Sequence, residues 1–352
     1  MSDVSAPAAG TEFDPEALRA WLAARDVRGE ALSLDRIGGG QSNPTWFVTI
    51  GDHRLVLRKK PGGPILKGAH AIEREFRVLR ALRDTDVPVP DALWLEEDPE
   101  ILGTPFYLMN RLEGRVFEDT ALPGVSPEHR REMYLDMART LARLHALRPD
   151  VVGLSDYGRP GNYFERQIGR WTKQYQDSTG PRIADLDRLV EWLPDNMPED
   201  EGAVSIAHGD FRVGNMMFHP TEPRVVGVLD WELSTLGNPL ADLGFCILPW
   251  YSAPNEYGGL KGTDWRAAGI PERDAFIAEY RRHARPTAPL SAFHVAFALF
   301  RFAVIFVGIA DRARSGSAAS DEAASLGPLA ERFARRGVEV IEANEKRIGE
   351  TV

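Results

Sequence analysis

The stretch His208-Gly209-Asp210-Phe211-Arg212-Val213-Gly214-Asn215 carries the clearest chemistry, and it follows the short apolar run Val204-Ser205-Ile206. Twenty residues after Asp210, the run Val226-Gly227-Val228-Leu229 ends on Asp230-Trp231-Glu232. An Asp at a loop apex can accept a proton from an attacking hydroxyl. An Asn side-chain oxygen can ligate Mg²⁺ without adding charge, and a second Asp supplies an anionic contact. Mg²⁺ takes hard oxygen ligands, a few from protein and the rest from phosphate and water. Asp210, Asn215 and Asp230 are therefore the parts of a phosphoryl-transfer site: a carboxylate for the hydroxyl, an Asn and an Asp for the metal. Taken singly, Asp210 also suits a turn or a helix cap. The spacing of the set is what points to chemistry. Glu232 either approaches a metal or only holds the loop.

Composition narrows the alternatives. The chain has 352 residues, a length that suggests two domains or lobes. Lys plus Arg total 42 and Asp plus Glu total 52, a formal net charge of −10, which argues against a general nucleic-acid binder. The single cysteine, Cys246, excludes an intramolecular disulfide and a Cys-based zinc cluster. No HExxH, GxSxG or GxxxxGK[ST] occurs. Residues 1–12 lack the basic start and apolar run of a signal peptide, so the expectation is a cytoplasmic protein. Ala292 to Ala310 is apolar and long enough to test as a membrane span. Arg301 lies near its centre, where a charge is costly in a bilayer, so a buried core helix is expected.

These residues need elements to position them. Residues 1–12 are expected to be disordered. A helix should start at Asp14-Pro15, an N-cap followed by proline. Ile37 to Asn43, Trp46 to Ile50 and Arg54 to Arg58 read as a Gly-rich turn leading into a hairpin. A helix over 69–82 and strands near 92–95 and 105–110 follow. Past Gly114 the pattern turns helical: 127–147, 161–177 and 182–193, a strand pair near 204–230, then 271–284, 288–312 and 321–348. The expected organisation is α+β, with an N-lobe over 13–112 and a C-lobe over 113–352.

His208-Gly209-Asp210-x4-Asn215 with Leu229-Asp230-Trp231-Glu232 behind it resembles the aminoglycoside phosphotransferase family of the protein-kinase-like fold. The resemblance covers roughly Leu34 to Ala310. It implies a bilobal fold: a small antiparallel-sheet N-lobe with one helix and a larger, mainly helical C-lobe. It implies ATP or GTP and Mg²⁺, with Asp210 as catalytic base, Asn215 and Asp230 on the metal, and His208 supporting the loop. Leu55 to Lys60 occupies the place of the strand that delivers a phosphate-binding Lys. The matched position is Arg58, an exchange that is not neutral, because Arg binds phosphate as a fork and Lys as a point charge. Arg58 and Lys60 share a face by alternation, and either can serve. Glu75 matches the helix Glu that holds this cation. Gly39, Gly40, Gln41 and Ser42 lie where a nucleotide-covering loop belongs, with Asn43 replacing the third glycine of GxGxxG. The backbone of Asn110 and Leu112 would meet the purine edge. Asp242 would be scaffold.

The motifs specify the transfer and leave the acceptor open, beyond a small-molecule hydroxyl. Arg166, Arg170 and Lys173 fall near one face of a helix, either a solvated face or a site for an anionic acceptor. Gly40 to Thr45, Pro160 to Tyr163, Trp171 to Tyr175 and Asp230 to Gly237 resemble the kinase-like domain fused to acyl-CoA dehydrogenases. That implies a hydroxyacyl-CoA acceptor. An antibiotic phosphotransferase and a nucleotide-binding pseudokinase stand as the alternatives. Neither a nucleic-acid nor a membrane partner is expected, and oligomeric state is not readable.

Overall fold

The computed structural model describes residues 12–38, 43–62, 71–159, 161–314 and 326–349. It divides into two compact units, residues 1–113 with 227–232, and residues 114–226 with 233–352. The expected disorder of residues 1–12 falls almost wholly outside the described residues, as do Gly39, Gly40, Gln41 and Ser42.

In the first unit, helix α1 (Pro15–Ala23) begins at the Asp14 cap, whose side chain accepts the N–H of Glu16 at 2.9 Å. An antiparallel sheet follows, in the order β1-β2-β3-β5-β4. Its strands are β1 (Leu32–Arg36), β2 (Thr45–Ile50), β3 (His53–Lys59), β4 (Ala92–Glu96) and β5 (Phe106–Asn110). Helix α2 (Ile72–Leu82) connects β3 to β4, and the short α3 (Pro99–Leu102) connects β4 to β5. Alternation sorts the two faces of the sheet. Leu55, Leu57, Phe106 and Leu108 join Trp21, Trp46 and Leu102 in one apolar cluster. Arg58 and Tyr107 are cross-strand partners on the opposite side, where Glu75 of α2 meets them.

The second unit is mainly helical. It comprises α4 (Pro127–Ala146), α5 (Tyr163–Gln176), α6 (Ala184–Asp195), α7 (Pro239–Cys246), α8 (Arg273–His283), α9 (Ala292–Arg314) and α10 (Leu329–Gly349). Where a strand pair was expected there are three short strands, β6 (Ser205–Ala207), β7 (Met216–Phe218) and β8 (Val225–Val228), and β9 (Thr235–Gly237) pairs back onto β6. β8 pairs with β7 and runs out into residues 227–232, which belong to the first unit.

By length and composition α9 could cross a membrane, yet 72% of its apolar window is buried, against α10, α7, α5 and α6. Arg301 at its centre is buried and donates to the carbonyl of Gly209 at 2.5 Å. A carbonyl partner explains why a charge is tolerated in this helix.

His294, at the start of α9, is buried, and its Nδ1 takes hydrogen bonds from the Ser291 backbone N–H at 3.0 Å and lies 2.9 Å from the Ser291 hydroxyl. Burial pushes its pKa down to about 4. The unfolded chain therefore binds a proton near pH 6.5 that the fold refuses, and stability rises with pH across this window. Lowering the pH from 7 to 5 is expected to cost about 2 kcal/mol through this group. Urea unfolding at the two pH values measures it, and His294→Gln should remove that part of the difference.

Candidate active site

The place of Arg58 in the first unit is set by the hairpin register. Arg58 lies on β3 with its Nε 2.7 Å from Glu75 Oε2, an ion contact without hydrogen-bond alignment. Its Nη2 donates to Asp230 Oδ1 at 2.8 Å and lies 3.9 Å from Glu232 Oε2. Glu75 is 2% exposed and is held from two more sides, by Asn43 Nδ2 on Oε1 and by the Tyr107 hydroxyl on Oε2 at 3.1 Å. Burial pushes the Glu75 carboxyl up to about 6, against the opposing pull of Arg58. For Arg58 burial acts to lower the pKa, but Glu75, Tyr107, Asp230 and Glu232 together outweigh it, and the guanidinium stays charged.

Of the two cations the sequence offers, Arg58 is the one gathered with Glu75 and Asp230. Lys60 lies just past the end of β3, with its backbone N–H on the Pro105 carbonyl. Asn43, the residue that breaks the glycine pattern, is a member of this buried network. Asp230 sits in the left-handed region at φ 63°. Asp tolerates that conformation better than most residues, and such strain gathers at functional sites.

At the end of β5 part of the Asn110 backbone is already engaged. The Asn110 N–H already donates to the Asp91 carbonyl at 3.0 Å, and its side-chain oxygen accepts the Asp91 N–H at 2.5 Å. The pairing of β5 with its neighbours therefore uses the Asn110 amide. Among the described residues, the backbone N–H and C=O of Leu112 make no hydrogen bond.

In the second unit the loop after β6 is fixed from several directions. Gly209 has φ 85°, and a Cβ there would lie 2.7 Å from the Leu233 carbonyl oxygen, so only glycine fits. The buried Asp242 of α7 accepts the backbone N–H of His208 at 2.6 Å and of Gly209 at 2.9 Å. His145 of α4 places Nε2 3.4 Å from Asp242 Oδ2 and Nδ1 2.8 Å from the Tyr280 hydroxyl on α8. His208 is fully buried, and its Nδ1 accepts the Asp210 N–H at 3.2 Å. Its ring is thus engaged in holding the loop.

Asp210 is partly exposed, and its Oδ2 takes Asn215 Nδ2 at 2.7 Å and Arg212 Nε at 3.3 Å. Asn215 Nδ2 also donates to the Asp210 carbonyl at 2.8 Å. Both neighbours are acceptors, which fixes the amide orientation and turns Asn215 Oδ1 away. Among the described residues nothing donates to that oxygen, nor to Asp230 Oδ2. Each is a hard oxygen suited to Mg²⁺. No group of three or more His, Cys, Asp or Glu forms a metal cage among the described residues. Each oxygen, taken within its own unit, suits an ion that keeps its waters and phosphate ligands, as Mg²⁺ does.

The basic residues of α5 do not converge. Arg166 donates to the carbonyls of Gly161 and Arg159 and lines a cavity of ≈ 560 Å³ that Arg170 and Lys173 do not line. Arg170 lies exposed 5.0 Å from the Trp171 ring, and Lys173 pairs with Asp177 in solvent.

Comparison with known proteins gives the chain a family. The profile described as "Phosphotransferase enzyme family" matches residues 33–290. The chain belongs to that family. Its members transfer a phosphoryl group to a small-molecule hydroxyl, and this chain is a phosphotransferase with an alcohol group as acceptor. A solved Ralstonia eutropha structure, described as a candidate aminoglycoside phosphotransferase, is 44% identical with a TM-score of 0.84, covering 94% of this chain and 99% of that one. An aminoglycoside phosphotransferase solved with AMP-PNP and hygromycin B is 15% identical, with a TM-score of 0.60 over 91% of this chain and 98% of that one, and shares the fold. Mus musculus acyl-CoA dehydrogenase family member 10 is 42% identical over 309 residues, 87% of this chain and 28% of that protein. The chain spans less than half the length of the curated relatives it matches.

Sequence reasoning passed over Arg212, Asn43 and His145. Arg212 had a legible signal, a cation two residues after Asp210. The roles of Asn43 and His145 depend on partners far away in sequence.

Proposed function

We propose that this chain is a kinase that moves the γ-phosphoryl group of ATP or GTP to a hydroxyl of a small metabolite, with a hydroxyacyl-CoA as the acceptor. The observation that carries the reading is Asp210, a partly exposed carboxylate braced by Asn215 and Arg212 on a loop held by Asp242. In the transfer, the acceptor oxygen forms a bond to the γ-phosphorus as the bridging O–P bond to the nucleoside diphosphate breaks. The hydroxyl proton passes to Asp210. Arg58, held by Glu75, would orient the phosphates, and the backbone of Asn110 and Leu112 would meet the purine edge. Mg²⁺, held by Asn215 and Asp230, would offset charge on the phosphate oxygens.

Two observations favour the acyl-CoA acceptor. Relatives about 42% identical to this chain are named acyl-CoA dehydrogenases. The charged neighbour of Asp210 is the cation Arg212, whereas a polycationic aminoglycoside calls for acidic neighbours. The second reading, an aminoglycoside phosphotransferase, draws on the description of the Ralstonia structure. Nucleotide turnover with hydroxyacyl-CoAs and with aminoglycosides, in parallel and with both ATP and GTP, separates them. Phosphorylated hydroxyacyl-CoA is expected, and turnover with aminoglycosides alone would sink the proposal.

A further inference from the structure

Beside the Asp210 loop, and within the second unit, lies a cavity of ≈ 190 Å³. Its walls are Met137 of α4, Phe245 and Cys246 of α7, Phe276 of α8, Phe302 of α9 and Phe333 of α10. The polar atoms that line it are mostly answered by the protein. Tyr134 donates its hydroxyl to the Thr120 carbonyl at 2.7 Å, and Ser252 donates to the Leu248 carbonyl at 3.2 Å. Arg212 is the cation on this wall. Its Nε is the group on Asp210, and its two Nη groups make no hydrogen bond among the described residues. Glu118 also lines the cavity, and with Asp210 and Tyr257 it favours a charged Arg212.

A half-buried guanidinium with unused donors, one side chain from the catalytic carboxylate, and an apolar chamber behind it describe an amphiphilic ligand. We infer that this cavity takes the apolar tail of the acceptor, and that the Arg212 Nη groups take a carbonyl or carboxylate oxygen close to the hydroxyl presented to Asp210. The inference rests on the kinase reading above and adds the acceptor's shape. Size sets the tail length. An apolar cavity of about 150 Å³ holds a benzene ring, so this one takes about six to eight carbons. The acceptor is a medium-chain hydroxyacyl group, rather than a sugar or a polyamine. The same tail occurs in a free hydroxy acid and in its CoA thioester, so both belong in the test.

The experiment is a chain-length series, four to twelve carbons, of hydroxyacyl-CoAs and of the free hydroxy acids, with kcat/KM measured for each. The expected profile peaks at six to eight carbons. Cys246→Phe fills the chamber and should lower the ratio of eight-carbon to four-carbon kcat/KM by about tenfold. Phe302→Leu, which enlarges it, should move the peak toward longer chains. Octanoate binding by calorimetry is the arm independent of turnover, with saturable binding expected in the wild type and loss in Cys246→Phe. Turnover whose chain-length profile neither variant moves would overturn the cavity assignment and leave the kinase reading intact. Octanoate binding that Cys246→Phe abolishes, without turnover of any hydroxyacyl compound, would support the cavity and count against the kinase reading. If Cys246→Phe does not fold, the Phe302→Leu profile decides alone.

Discussion

Asp210→Ala is expected to lower kcat by about 10²–10⁴-fold, the usual share of a positioned general base. Thermal stability and nucleotide affinity should stay close to wild type. The contacts around Asp210 give the reason. Asn215 Nδ2 keeps the Asp210 backbone carbonyl as its acceptor when the carboxylate is gone. Arg212 loses its contact at Nε, but its side chain is about 30% exposed and water can replace the carboxylate. The loop itself is held at His208 and Gly209, upstream of the deletion. A structural role for Asp210 predicts the opposite pattern, with Tm falling and kcat surviving. Nucleotide binding and single-turnover transfer, measured on one preparation, tell the two apart. Wild-type transfer in this variant would remove Asp210 from its proposed role, whereas nucleotide binding with no transfer in the wild type would favour the pseudokinase reading.

The parts of this site that were legible in the sequence are those whose partners are local. Asp210 and Asn215 bond each other five residues apart, so their spacing is itself the signal. Asp230 was legible for another reason, an acid at the end of an apolar run. Arg58 was left level with Lys60, because alternation puts both on one face, and only the α2 packing that brings Glu75 to Arg58 separates them. Asn43 read as a defect in a glycine pattern. Its amide serves a carboxylate on α2, and no local rule reports that partner. Arg301 signalled a buried core helix at α9, but its use, the Gly209 carbonyl, is a tertiary fact.

Fold elements were missed for related reasons. α7 is buried on every side, so it has no amphipathic period to read. β9 is three residues long and borrows its order from β6. On α5 the spacing left two readings open. Three cations at helical spacing suited a solvated face or a site, and Arg170 and Lys173 lie on the solvated face. Charge periodicity on a helix marks which side meets water more readily than which side meets a ligand.

Asp242→Ala should be the most destabilising single change at the site, by about 3–5 kcal/mol. The carboxylate is 1% exposed and accepts two backbone N–H groups of the Asp210 loop. Its removal strands both donors where water cannot reach, and each stranded donor costs about 1–3 kcal/mol. A third partner is lost with them. Burial and the nearby Asp242 raise the pKa of the Tyr280 phenol, so it stays protonated and can donate to His145 Nδ1. That leaves the Nε2–H of His145 to face Asp242, 3.4 Å away. Burial alone would lift the Asp242 pKa, but His145, His208 and the Gly209 amide outweigh it and hold it below the ordinary Asp value. The sign follows: a depressed carboxylate stabilises the fold above its unfolded pKa, so this contribution is complete at pH 7 and fades only in acid. Asp242→Asn keeps one acceptor oxygen, so it should fold with a lowered Tm and reduced kcat. Asp242→Ala at wild-type Tm would mean that the loop is held elsewhere, and the Arg301 bond to the Gly209 carbonyl is the contact to test next.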